Sequence, residues 1–255
     1  MSWALITGAS SGMGLMYAER LASEGNDILL VSNQEEELKR VSADLSDRYS
    51  IRAIPLYQDL SETDAADRLF GYCQEHHIEI DILINNAGMF FFKELFPEDI
   101  NLVETMLRLH ITTITRLSIL FGNDMKGRRH GNILIVSSLA ASLPMPGITV
   151  YSASKSYLKS FGRSLYFEMR PYGVGVTTVC PPAVATPLYN ISDRLMNIGV
   201  RCGVIWTPKR LVRRALRAMR HGRRIIRPGL MNIYLPILIA LLPKRLVTYL
   251  WNKFR

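Results

Sequence analysis

Short apolar runs alternate with longer mixed segments along most of this chain. "WALIT" (3–7) and "DILLVS" (27–32) are near-continuous hydrophobic runs, short enough for buried strands. "IRAIPLY" (51–57), "DILIN" (81–85), "NILIVS" (132–137), "VGVTTVC" (174–180) and "RRIIRP" (223–228) repeat the pattern. The segments between them carry helical periodicity. "GMGLMYAERLASEG" (12–25) places Met13, Ala18, Leu21 and Ala22 toward an interior, with Gly25 as a stop signal. "EEELKRVSADLSDRY" does the same with Leu38, Val41 and Leu45. Further helices are predicted near 62–76, over about 98–125, and over 151–169. Strands that alternate with helices and are apolar on both faces predict an α/β protein. Its sheet is parallel, has about seven strands, and is covered by helices on both sides.

No Pro/Gly/Ser-rich linker or internal repeat divides this pattern, so residues 1–229 read as one domain. The segment 182–221 interrupts the alternation and is expected to form a flap over the sheet's C-terminal edge, where such sheets bind ligands. Residues 230–255 read as an apolar and basic helical extension.

"TGASSGMG" (7–14) follows the first strand directly and opens the first helix. Glycines at 8, 12 and 14 allow a tight turn and a close backbone approach to a phosphate. The helix start then offers free N–H groups to a pyrophosphate. Glycines often do nothing more than turn a chain, but this strand–turn–helix context favours a dinucleotide. The spacing is G-x-x-x-G-x-G rather than the commoner G-x-G-x-x-G. At the end of the second strand, where a carboxylate would bind a ribose 2′-hydroxyl, stand Ser32, Asn33 and Gln34. No carboxylate repels a 2′-phosphate and no arginine grips one. NADP(H) is favoured and NAD(H) stays open.

Tyr151 and Lys155 stand four residues apart in "YSASK", and so share one helix face. A free phenol titrates near about 10. A neighbouring ammonium stabilises the phenolate and brings the group toward the range useful to a general acid. Ser138, the second serine of "VSS", ends the fifth strand at the edge that faces the crevice, where its hydroxyl could hold a carbonyl oxygen. An amphipathic helix with a surface Tyr and Lys is the plainer alternative. It loses ground because the glycine turn falls on the same sheet edge.

Charge changes the picture only near the end of the chain. The net charge of +9 arises because Arg194 to Arg255 contain 15 Lys or Arg and no Asp or Glu, against 16 basic and 22 acidic residues before them. That asymmetry points to a local anionic partner, with a solvated helix face as the alternative. Thr207-Pro208 is a helix start. Leu211, Val212, Ala215, Leu216 and Met219 then form a buried stripe, with Arg210, Arg213, Arg214, Arg217 and Arg220 around it. "MNIYLPILIALLP" (231–243) is nearly all apolar but, at 13 residues, falls short of the roughly 20 a bilayer span needs. "KRLVTYLWNKFR" (244–255) puts Leu246, Val247, Leu250, Trp251 and Phe254 on one face. Peripheral membrane contact, a lid over an apolar pocket and a subunit contact all fit this tail. Aromatic residues do not interleave with the basic face, so nucleic acid is not expected. Cys73, Cys180 and Cys202 have neither metal spacing nor an even number, and the N-terminus carries no basic, long-apolar leader pattern. Reduced thiols in a cytoplasmic setting, with contact at a membrane surface as an option, follow as expectations.

Taken together, these motifs resemble the short-chain dehydrogenases/reductases, over about residues 3–229. "TGASSGMG" is similar to the family's cofactor motif, "NNAG" (85–88) to its motif after the fourth strand, and "YSASK" to its catalytic Tyr-x-x-x-Lys. Ser138 stands 13 residues before Tyr151, as the family pattern requires, and "QDL" (58–60) resembles its adenine contact. The resemblance implies a Rossmann-type doubly wound fold. It implies that Tyr151 donates a proton to a carbonyl oxygen held by Ser138, while Lys155 tunes Tyr151 and holds ribose hydroxyls. It implies cofactor contacts from Gly8, Ser10, Ser11, Gly12, Met13, Gly14, Ser32, Asn33, Asp59, Leu60, Asn86, Ala87, Gly88, Pro181, Val184 and Thr186, besides Tyr151 and Lys155. It also implies a homodimer or homotetramer built on the helices of 98–125 and 151–169.

Two positions depart from that pattern. His110 stands where many members carry an Asn that supports a relay water. Its ring could bond that water, its backbone carbonyl could serve instead, or the histidine is structural. The usual Pro-Gly after the sixth strand is Pro181-Pro182, which removes an N–H and stiffens the loop. The segment around "YSASK" most resembles the branch that reduces 3-oxoacyl, hydroxysteroid and 3-ketosphinganine substrates. A hydrophobic ketone, carried on CoA or an acyl carrier protein, is the expected substrate. A dinucleotide-binding regulatory or scaffold protein without catalysis is the second reading.

Overall fold

The computed structural model describes residues 2–186 and 193–254. Seven parallel strands form one sheet: β1 (Trp3–Thr7), β2 (Asp27–Ser32), β3 (Ala53–Tyr57), β4 (Ile80–Asn85), β5 (Gly131–Val136), β6 (Val174–Val179) and β7 (Ile225–Ile226). Their order is β3-β2-β1-β4-β5-β6-β7. The order reverses direction between β1 and β4, and this is the crevice where a doubly wound sheet binds its ligand. β1 and β2 are buried at every position, which accounts for their uninterrupted apolar sequence. Pro55 is tolerated because β3 is an edge strand. The last strand keeps two residues of the six expected over 223–228.

Helices α1 (Gly12–Ala22), α2 (Glu35–Tyr49) and α3 (Ala65–Glu75) follow the first three strands. The long helix expected near 98–125 is broken. α4 (Ile100–Leu107) passes through a π-helical stretch, Arg108–Thr113, into α5 (Ile114–Arg128). A π-stretch inside an α-helix widens one turn and often marks a functional position. Here it carries His110. α6 (Thr149–Met169) is a single run of 21 residues that holds Tyr151 and Lys155.

The expected flap needs correction. Its residues 187–192 lie outside the described residues. Of the rest, α7 (Asp193–Arg201) is separate, whereas α8 (Pro208–Arg220) is a sheet-covering helix. Leu211, Val212, Ala215, Leu216 and Met219 join the core that Tyr17, Ala18 and Leu21 of α1 also enter. The physical reason is the stripe itself, which is wide enough to bury against a neighbour. Thr207 caps α8 by accepting from the Arg210 N–H at 3.4 Å. Two more helices, α9 (Met231–Leu241) and α10 (Lys244–Phe254), close the chain. Among the described residues no single helix is long and apolar enough to cross a membrane.

Candidate active site

The end of β1 and the start of α1 are made for close approach. Gly8 and Gly12 have φ of +66° and +55°, the region that favours glycine. At Gly14 a Cβ would sit 1.9 Å from the Gly8 carbonyl oxygen, so any side chain there would break the turn. Thr7 ties this turn to "NNAG". Its hydroxyl donates to the Ile84 carbonyl and accepts from the N–H groups of Asn86 and Ala87, while the Asn86 side chain donates back to the Thr7 carbonyl at 2.9 Å. The two motifs therefore move as one piece.

A cleft of about 480 Å³ runs along the C-terminal edge of the sheet from this turn to α6. Ser138, Tyr151 and Lys155 line it together, and with them every expected cofactor contact except Gly14. Gly14 acts one layer back, by letting α1 press against the turn. The cleft has the features a dinucleotide needs: glycine backbone at one end, hydroxyls and a buried cation at the other. At its outer end the Ser10 hydroxyl lies 2.9 Å from that of Ser32 and donates to Gln34 Oε1 at 3.1 Å.

Lys155 is nearly fully buried, and burial pulls its pKa down to about 8. Its Nζ donates to the Val136 carbonyl at 3.3 Å and lies 5.6 Å from the Tyr151 ring centre. Ser137 fastens the same helix turn by donating to the Lys155 carbonyl at 2.7 Å. Ser138 follows the end of β5 by two residues rather than ending it. It caps the short 3₁₀ turn Leu139–Ser142, accepting from the Ala140 N–H at 3.1 Å. That bond fills one acceptor site and leaves the hydroxyl proton to point elsewhere. The edge of Phe90 meets Tyr151 with ring centres 4.9 Å apart.

His110 does not line the cleft; it is fully buried behind the wall. The Met89 N–H donates to its Nε2 at 3.0 Å, so the ring proton sits on Nδ1. Nδ1 donates to Ser154 Oγ at 2.9 Å, and Ser154 donates on to the Tyr151 carbonyl at 2.8 Å. Burial first, and the Lys155 charge second, push the imidazole pKa well below its usual value. The ring is neutral, with both nitrogens committed within the protein, which fits the structural alternative for His110 rather than a ring bond to a relay water. Gly88 leaves the room for this arrangement: a Cβ there would stand 3.0 Å from His110 Nε2 and 3.5 Å from Lys155 Nζ. Ser137, Ser154, Met89 and Phe90 join the site without a motif of their own; the doubled serine at 137–138 and Ser154 inside "YSASK" are the traces the sequence carries.

The short chain dehydrogenase family model matches residues 2–194. The human very-long-chain 3-oxoacyl-CoA reductase is 33% identical over 193 residues, which are 74% of this chain and 61% of that protein. The chicken hydroxysteroid dehydrogenase-like protein 1 is 34% identical over 195 residues, 74% of this chain and 58% of that one. The chain thus spans about three fifths of the length of the curated relatives it matches. Among solved structures, a short-chain dehydrogenase from Sphingobium yanoikuyae in complex with NADPH superposes with a TM-score of 0.80 at 27% identity. The match covers 96% of this chain and 97% of that one.

Proposed function

Since the chain belongs to the short-chain dehydrogenase/reductase family, a family of NAD(P)-binding oxidoreductases, we propose that it reduces a hydrophobic ketone, a 3-oxoacyl thioester or a similar lipid ketone, with NADPH as the favoured reductant. The observation that carries this reading is the meeting of Ser138, Tyr151 and Lys155 at one end of a cleft whose other end is the glycine turn. When bound, the nicotinamide cofactor supplies the hydride. The chain supplies the proton and the geometry. Tyr151 donates its phenolic proton to the carbonyl oxygen as charge develops there. Ser138 donates a hydrogen bond to that oxygen, and its β5–α6 connection is held by the Ser137 bond to Lys155. The Lys155 ammonium stabilises the phenolate left behind, and its low-dielectric surroundings strengthen that effect. His110 holds Met89 and the backbone of Tyr151 in register and leaves proton resupply to another path. The reverse reaction uses the same groups.

The absence of a carboxylate at positions 32–34 supports NADP(H) over NAD(H). CoA as the carrier follows the name of the human relative, and an acyl carrier protein is the alternative that the basic C-terminal quarter also suits. Exposed Ile119 and Phe167 on α5 and α6 suit a homodimer or homotetramer contact. Residues 1–229 are taken as the catalytic domain and 230–255 as its extension. The test is turnover. Purified protein with NADPH or NADH is offered long-chain 3-oxoacyl-CoA, steroid and sugar ketones. Oxidation of the cofactor on the acyl substrate, cut by about 10²–10⁴-fold in Tyr151→Phe, is expected. Cofactor binding without turnover on any ketone, in both proteins, would return the chain to a non-catalytic dinucleotide-binding role.

A further inference from the structure

The carboxy-terminal helices carry large apolar side chains that the fold leaves uncovered. On α9, Ile233, Tyr234, Ile237 and Leu238 are 55% to 65% exposed and Leu241 is 76% exposed; on α10, Tyr249 is 60% exposed. This is a continuous turn-after-turn surface rather than scattered single residues. The helices are nonetheless tied to the domain at both ends. Buried Asn232 donates to the carbonyls of Cys180 and Pro228, which fixes the start of α9 beside β6. Trp251 of α10 meets Phe92, ring centres 6.0 Å apart, and both rings close on Gly147, where a Cβ would lie 3.0 Å from Trp251 and 2.8 Å from Phe92. Phe92 is two residues from Phe90, which edges onto Tyr151. Gly147 stands two residues before α6. The tail therefore packs against the segments that frame the catalytic tyrosine.

Three observations select what covers the exposed face. Neither helix alone is long and apolar enough to span a bilayer; the two together have the length and composition of a broken span, but they meet at a bend of 99° with Lys244 and Arg245 at the corner, which suits lying along a surface. Residues 231–255 hold four basic residues, Lys244, Arg245, Lys253 and Arg255, and no acidic one. A second copy of this tail would meet like charge, whereas an anionic lipid surface meets opposite charge. Arg245 and Lys253 stand near the two ends of α10, with Tyr249 and Trp251 between, the arrangement of an interfacial helix.

We propose that α9 and α10 dock this protein on the surface of an anionic bilayer, with Trp251 and Phe92 holding the docked tail against the mouth of the site, so that a lipid ketone reaches Tyr151 from the bilayer. The docking stands without any assumption about activity; the delivery step rests on the ketone-reductase reading above. The full chain is sedimented with vesicles of phosphatidylcholine alone or mixed with phosphatidylglycerol, at low and high salt. Binding to the mixed vesicles, weakened by salt, is expected. Ile237→Glu with Leu241→Glu, both outward-facing, should lower partitioning by roughly tenfold or more and leave Tm and turnover of a small water-soluble ketone unchanged. Protein that stays in solution with anionic vesicles at low salt overturns the proposal. So does a double variant that binds like the parent, or one that only lowers the oligomeric state. Vesicle binding without turnover of any ketone retains the docking and removes the reductase reading. Turnover in solution with no vesicle binding does the reverse.

Discussion

Lys155 and Leu241 break the ordinary rule of burial in opposite directions. A cation is 4% exposed on α6, and a leucine is 76% exposed on α9. The difference lies in how each departure is answered. Around Lys155 the protein answers within itself: Nζ bonds Val136, Ser137 bonds the helix turn, and His110, Ser154 and Met89 complete one another. Around Leu241 nothing among the described residues supplies an answer. A buried polar group can be satisfied by bonds the fold itself supplies, whereas the uncovered apolar face has no such cover among the described residues.

The largest effect should come from removing the buried charge. Lys155→Met is expected to cut turnover by about 10²–10⁴-fold and yet raise Tm at neutral pH by on the order of several degrees. A lysine held near about 8 in the fold but near its usual 10.5 when unfolded carries a burial penalty that is full below pH 8. That penalty is relieved as pH rises from about 8 toward 10.5, so the stability gap between variant and parent should close across that window. Thermal melts from pH 7 to 10.5 check both the sign and the window. A gap that widens with pH would mean that Lys155 is stabilised as a cation, and would erase half of the comparison.

A middle-sized effect is expected behind the cleft. His110→Phe leaves the part-buried Met89 N–H without its acceptor and Ser154 Oγ without its donor, at a cost of about 1–3 kcal/mol in urea unfolding. His110→Asn can still accept from Met89 and should cost less. Because burial holds the ring neutral, kcat/KM for the parent should show no step near the usual histidine pKa. A step there that vanishes in His110→Asn would put the ring back among the proton carriers.

The smallest effect belongs to the tail. In solution, Leu241→Ser should change unfolding free energy by less than about 0.5 kcal/mol, because no core contact is lost. A cost of several times that in chemical denaturation would show that the face is covered within the molecule, and the contrast with Lys155 would fail.

How legible all this was in the chain depends on the distance between cooperating residues. The glycine turn is local, and so is Tyr151 with Lys155, because one helical turn brings them together. The seven strands were legible because both faces of a parallel sheet must be apolar. The π-stretch at Arg108–Thr113 was not, since its sequence "RLHITT" differs little from an ordinary helix. Nor was the place of α8: its stripe was evident, but a stripe does not say which surface it meets, and here it meets α1 rather than forming a flap.

The sequence by itself determined the strand–helix alternation, the glycine turn, the pairing of Tyr151 with Lys155 on one helix face and the one-sided charge of the last quarter. Each of these is set by neighbours within a turn or a strand, or by composition alone. Tertiary structure decided the rest. It put His110 against Met89 and against Ser154, 44 residues away, and so committed both ring nitrogens inside the protein. It buried Lys155 deeply enough to lower its pKa, and it set Trp251 over Gly147 while leaving Leu241 outside. Protonation and exposure follow from what surrounds a group in three dimensions, and those surroundings exist only once distant segments have packed.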